Sequence, residues 1–128
     1  MVSFIKKYNN KDMAIIYKKN YEVWKKEGLA NYGYFILFNG LITSNKLVGI
    51  SGNALKLYIY LGIYSKNMTG EVWHSNYKIA KYFGKSERTI RNWMKELEEL
   101  NLINRMQLAF NGESHTFLQT YNRGEVKK

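Results

Sequence analysis

From Ser51 onward the apolar positions repeat with definite periods. Ser51 or Asn53 can cap a helix to about Tyr64, with Leu55, Tyr58, Ile59 and Ile63 as its buried stripe, widened by Leu57 and Leu61. Lys66-Asn-Met-Thr-Gly70 reads as a turn and Glu71-Val-Trp73 as a short strand. Ser75 then caps a helix from Asn76 to Phe83, with Tyr77, Ile79, Ala80 and Phe83 turned inward. After the turn Gly84-Lys85, Ser86 caps a third helix. Its Ile90, Trp93, Met94, Leu97 and Leu100 recur at steps of three and four and make one apolar face. Asn101 stands at the stop, where asparagine is the best substitute for a left-handed glycine. Leu102 to Phe110 and Ser114 to Tyr121 are strand candidates on either side of Asn111-Gly112, a tight-turn signal. A two-residue loop there sets Phe110 opposite Glu113, Leu108 opposite His115 and Met106 opposite Phe117. That apolar face then packs inward, and Arg105, Gln107, Thr116 and Gln119 look outward.

The first 50 residues carry a weaker pattern. Met13, Ile16, Tyr17, Tyr21 and Trp24 fall at helical spacing, which favours an amphipathic helix over 11–27 ended by Gly28. Ile15, Tyr17, Tyr21 and Val23 also alternate around Lys18-Lys19-Asn20, which suits a hairpin instead. Tyr34-Phe-Ile-Leu-Phe38 is a buried strand or the first turn of a short helix through Thr43, and Lys46 to Gly52 reads as a connector. The organisation expected is an N-terminal extension over 1–50 that supplies a dimer surface or a second contact element, a domain over 51–122, and a flexible tail over 123–128.

Composition narrows the classes. The chain has 128 residues, one domain's worth, and no proline. It has no cysteine, which excludes disulfides, thiolate metal sites and cysteine nucleophiles and fits a cytoplasmic location. Met1-Val-Ser-Phe-Ile-Lys-Lys lacks the apolar block of a signal peptide. The longest uncharged stretch, Leu29 to Asn45, holds three asparagines and two glycines, so it reads as buried core rather than a membrane span. Twenty lysines and arginines against ten acids give a formal charge of +10. Residues 1–50 and 51–128 each carry +5, so the excess is not a tail; a domain so charged attracts polyanions, nucleic acid first and anionic membrane second.

The order helix, strand, helix, tight turn, helix, strand, turn, strand over 51–121 resembles a winged helix-turn-helix domain, an α+β fold. The resemblance rests on Tyr77-Lys-Ile-Ala-Lys-Tyr-Phe-Gly-Lys-Ser86, Glu87-Arg-Thr-Ile-Arg-Asn-Trp-Met-Lys-Glu-Leu97 and Leu100-Asn-Leu-Ile103. These spell I-A-x-x-x-G-x-S-x-R-T-I followed by L-x-x-L-x-L-I. In particular the text is similar to the N-terminal domains of plasmid replication initiators and other small DNA-binding proteins of mobile elements. Trp93 stands where many such domains have a small residue, which implies wider packing between the second and third helices, and Asn101 replaces the common glycine.

The resemblance implies a double-stranded DNA partner, and the residues agree. Opposite the apolar face, the first half of the third helix shows Arg88, Thr89, Arg91, Asn92 and Lys95, while Glu96, Glu98 and Glu99 lie in its second half. One helix fits a major groove, where arginine reads guanine and asparagine reads adenine. Ser86 and the amides beside it can meet a phosphate, as can Lys85, Asn76 and Lys78 where the preceding helix crosses the backbone. The hairpin as a wing adds Arg105, Gln107, Asn111, Ser114 and His115 as candidate contacts. An ordinary solvated face and sheet edge are the other reading of the same residues.

No catalytic set is expected. His74 and His115 lie 41 residues apart without an acidic cluster, and there is no glycine-rich phosphate loop or Ser-His-Asp set. His74 reads as structural, and no metal, cofactor or small-molecule ligand is indicated. The expected function is non-enzymatic, sequence-specific DNA binding by a homodimer at a plasmid or mobile-element origin, in replication or conjugative transfer. Transcriptional regulation, a protein-interaction winged helix and membrane-surface binding by residues 11–27 are the alternatives.

Overall fold

A computed structural model describes residues 8–107 and 114–121. The chain divides into two compact units, residues 1–34 and 35–128. In the first, α1 spans Asn10–Glu27. The Asn9 side chain accepts from the Asp12 amide at 2.8 Å, and Asp12 in the first turn and Lys25 and Lys26 in the last suit the helix dipole. The helical spacing therefore prevails over the hairpin. Gly28 does not end it: with φ −63° and ψ −44° it carries the chain into a π turn over Gly28–Tyr32. The stop is Gly33 at φ +79°, a conformation that costs glycine little. None of the α1 residues is buried.

The second unit begins at Phe35, so residues 35–50, read from the sequence as part of the extension, fold with the domain. Tyr34 to Phe38 is neither strand nor helix. The one-turn helices α2 (Gly40–Thr43) and α3 (Lys46–Gly49) follow, and Leu41 enters the core. The α3 turn stands where a plain connector was expected. Its Lys46 Nζ donates to the Leu100 carbonyl at 2.6 Å.

Helix α4 covers Gly52–Tyr64, and its Ser51 cap accepts from the Ala54 amide at 3.2 Å. Its buried residues are Ala54, Leu57, Tyr58, Tyr60, Leu61 and Gly62, whereas Ile59 and Ile63 are exposed and Leu55 is half-buried. The expected stripe is thus rotated. The cause lies at Gly62: the Phe35 ring lies where a β-carbon would stand, and this close seat turns that side of the helix inward. Helix α5 covers Asn76–Phe83 and α6 covers Glu87–Glu99, with Ser75 and Ser86 as their caps. Tyr77, expected inside, is exposed, while Ile79 and Ala80 are buried.

Strands β1 (Glu71–Val72), β2 (Ile103–Gln107) and β3 (Ser114–Leu118) form an antiparallel sheet in the order β1-β3-β2. Met106 pairs with His115 and Asn104 with Phe117, two residues away from the expected register. The Asn111-Gly112 turn lies outside the described residues. A shift of two keeps the same residues on each face, yet the faces are reversed. Ile103 and Thr116 are buried and Leu118 packs on the core, while Met106 is exposed on the side expected to be inward. Val72 pairs with Thr116 and is buried with it, so the central strand turns a threonine, not a phenylalanine, to the helices. The core gathers Leu57, Leu61, Ile79, Ile90, Leu97 and Leu102 between α4, α5, α6 and the sheet. Among the described residues no helix is long and apolar enough to cross a membrane.

Candidate nucleic-acid interface

Helix α6 is held by its apolar side. Ile90, Trp93, Met94 and Leu97 are buried, and the Trp93 ring meets Phe83 of α5 edge-on at 5.5 Å and 82°. The large indole is therefore accommodated by an edge-to-face pair between the two helices. The turn before α6 is closed by Gly84 at φ +67°, with the Lys85 amide donating to the Ala80 carbonyl at 3.0 Å. At its far end Asn101 takes φ +60°, and the Leu102 amide donates to the Leu97 carbonyl at 3.0 Å. These two stops fix both the start and the length of the helix.

On the opposite side Arg88, Arg91, Asn92 and Lys95 are exposed, and Thr89 is half-buried. Positions 88, 91, 92 and 95 fall at three- and four-residue steps and so form one stripe. The ion pairs found among the described residues are Lys19–Glu22 and His115–Glu71, and neither takes a cation from this stripe. Ser86 and Thr89 are bound to each other: the Ser86 oxygen accepts from the Thr89 amide at 3.1 Å and its hydroxyl donates to Thr89 Oγ1 at 3.0 Å. Both hydroxyls thus serve the cap. Lys85 and Lys78 are exposed nearby.

The acidic end of α6 has a task that the sequence reading missed. Both oxygens of Glu96 face the first turn of α4, accepting from the Ser51 amide at 2.6 Å and the Ser51 hydroxyl at 2.7 Å. A carboxylate at a helix N-terminus is favoured by the dipole and by free amides. The signal available was Ser51 itself, a cap residue whose partner lies 45 positions away.

The wing candidates need correction. Arg105 was expected to face outward. It is half-buried on the inner face, its guanidinium donating to Asn76 Oδ1 and to the His74 carbonyl at 3.1 Å. Burial pulls its pKa down and the nearby Glu98 charge acts the other way. Asn76, expected to hold phosphate, accepts from Arg105. His115 is also engaged: its Nδ1 lies 2.7 Å from Glu71 Oε2, its ring lies 4.9 Å from that of Trp73, and its side chain is only 15% exposed. Hydrogen bonding from His115, then from Trp73, lowers the Glu71 carboxyl. Thr116 is fully buried. Gln107 and Ser114 are exposed and face each other across the β2–β3 ladder, and Asn111 lies outside the described residues. Lys66, not singled out from sequence, holds its ammonium 4.8 Å from the centre of the exposed Trp73 ring.

His74 has a structural setting, with Nδ1 2.6 Å from the Tyr60 hydroxyl and its ring against Tyr60 and Tyr64. Burial, and then the Lys78 charge, lowers its pKa. Among the described residues no group of three histidines, cysteines, aspartates or glutamates gathers to hold a metal.

Residues 48–103 match the family model of the helix-turn-helix domain. A solved structure described as a Rep–DNA complex is similar in fold, with a TM-score of 0.51 at 12% identity, over 96% of this chain and 88% of that one. No curated protein sequence matches this chain. With α5, the tight turn and α6 in place and β2 and β3 paired, residues 48–103 are similar to the helix-turn-helix domain, and the architecture of the second unit is that of an α+β winged helix.

Proposed function

We propose that this chain is a non-enzymatic, sequence-specific binder of double-stranded DNA, acting as a cytoplasmic homodimer at the origin of a plasmid or other mobile element, in replication or conjugative transfer. One observation carries the DNA reading. The exposed Arg88, Arg91, Asn92 and Lys95 stripe stands on a helix whose opposite side is locked into the core. Such a helix presents cations and an amide at the spacing a major groove accepts. The helix-turn-helix match and the fold shared with a protein solved on DNA support the same reading. The likeness to a Rep protein supports the origin role over transcriptional regulation. Exposed Tyr17, Tyr21 and Trp24 on α1 support self-association.

Affinity for random duplex across a salt series tests the binding. With about 6–8 phosphate contacts, log affinity falls against log salt with a slope near −5 to −7, and a flat response overturns the reading. DNA enriched from random sequence by the purified protein tests specificity. A defined motif present in replication or transfer origins supports the finer assignment, and recovery of promoter sites alone replaces it with regulation.

A further inference from the structure

A cleft of about 670 Å³ opens in the second unit, and none of its lining residues belongs to α5 or α6. Its walls are aromatic: Phe35, Phe38, Tyr58 and Tyr121, joined by Leu118 and Met68. Phe35, Tyr58 and Tyr121 are held in place by the fold. Phe35 rests on Gly62 and meets the Tyr58 ring at 5.9 Å and 66°. The Phe38 amide donates to the Tyr121 hydroxyl at 2.8 Å, and Tyr58 is 2% exposed. Burial, and then the neighbouring Tyr121, pushes the Tyr58 hydroxyl up to about 12, so it is an uncharged group near neutral pH. The polar lining is Asn67, Gln119 and Thr120. Among the described residues no charged side chain lines the cleft.

We propose that this cleft binds a small, neutral, flat aromatic molecule bearing one hydrogen-bonding group such as an amide, an indole N–H or a hydroxyl. The volume is that of a small-molecule site, roughly 300–1,000 Å³. An aromatic lining favours a flat aromatic guest by offset stacking and edge contacts. The uncharged lining among the described residues disfavours an ion, whose desolvation none of those side chains offsets. A peptide is a poorer guest, because each of its residues brings a backbone N–H and C=O to be paired, and the walls are mostly hydrocarbon. The site stands independently of the DNA reading.

Titration of the full chain with indole, followed by backbone amide shifts and by melting temperature, tests it. Saturable shifts are expected at Phe35, Gly40, Gly70 and Leu118, with melting raised about 3–6 °C at ten times Kd. Phe38 and Thr120 are exposed, so Phe38→Ala and Thr120→Trp should melt like the parent without ligand. Each should weaken indole binding roughly fivefold or more, by removing a ring or filling the cleft. Cyclohexanol and 1-naphthoate should bind far less well. No saturable shift up to about 5 mM indole, equal binding by the aliphatic or anionic probe, or unchanged binding in both variants overturns the proposal. Duplex binding measured on the same samples keeps its fate separate from that of the DNA reading.

Discussion

Arg88 and Arg91 leave α6 on the side away from Ile90, Trp93 and Leu97, so removing either guanidinium leaves the core intact. Arg88→Ala and Arg91→Ala should each weaken binding to the preferred duplex by about 1–3 kcal/mol with unchanged melting temperature. Arg105 behaves differently. It is bound to Asn76 and the His74 carbonyl, so Arg105→Ala should lower stability by about 1–3 kcal/mol, read by denaturant unfolding, and Arg105→Lys should not restore it because an ammonium lacks the planar fork. Among the described residues, two groups with lowered pKa shape the acid limb of stability. Folding lowers the pKa of His74, so the unfolded chain binds its proton more readily. Stability from this source is complete above about 6.5 and declines as pH falls through that value. Glu71 is also lowered, so its contribution is held above its ordinary 4.5 and lost as pH falls further. Melting temperature should therefore fall in two stages on acidification, and His74→Phe should remove the upper stage alone.

At the scale of elements, α4 and α6 are joined head to tail by one carboxylate. Glu96→Ala removes the acceptor for both Ser51 groups and should cost about 1–3 kcal/mol, while Glu99→Ala, at an exposed site, should cost almost nothing. Gly62→Ala is a sharper test. Helix propensity alone favours alanine by about 1 kcal/mol, but the Phe35 ring occupies the place of the new methyl, so overpacking should win with a net loss of stability. The same residues explain what could be read in advance. From Ser75 to Asn101 each cap serine, the left-handed stop and the steps of three and four agree, and α5 and α6 have the expected bounds. Helix α4 is apolar nearly all round, so its pattern names no face, and the choice is made by Phe35, 27 positions earlier. The hairpin misleads for a related reason. Met106 and Phe117 look like an inner face, but Arg105 finds partners at the start of α5 and Thr116 sits opposite Val72. Such partners are distant in sequence, and a period-two pattern does not contain them. For the site, the α6 stripe was legible because it is local, whereas the fates of Arg105, Asn76 and His115 depended on those distant partners.

At the scale of the whole molecule, the buried hydrophobic residues among the described ones run from Leu41 to Ile103, all within the second unit. A chain starting at Phe35 should therefore unfold in one cooperative transition within a few degrees of the full protein, measured by calorimetry. It would also lose seven basic and three acidic residues, a net +4 of the +10, so its duplex affinity at low salt should drop while its preference among sequences stays. Arg105 matters again at this scale. It ties β2 to the first residue of α5 and to the loop before it, which fixes that strand against the start of the helix. If the unit meets a duplex as proposed, it works like a gauge with a fixed jaw width. On the proposed DNA reading, contacts made by α6 and by β2 would stand a set distance apart, and inserting one base pair between the two halves of the preferred site should weaken recognition sharply rather than be absorbed by a bend in the protein.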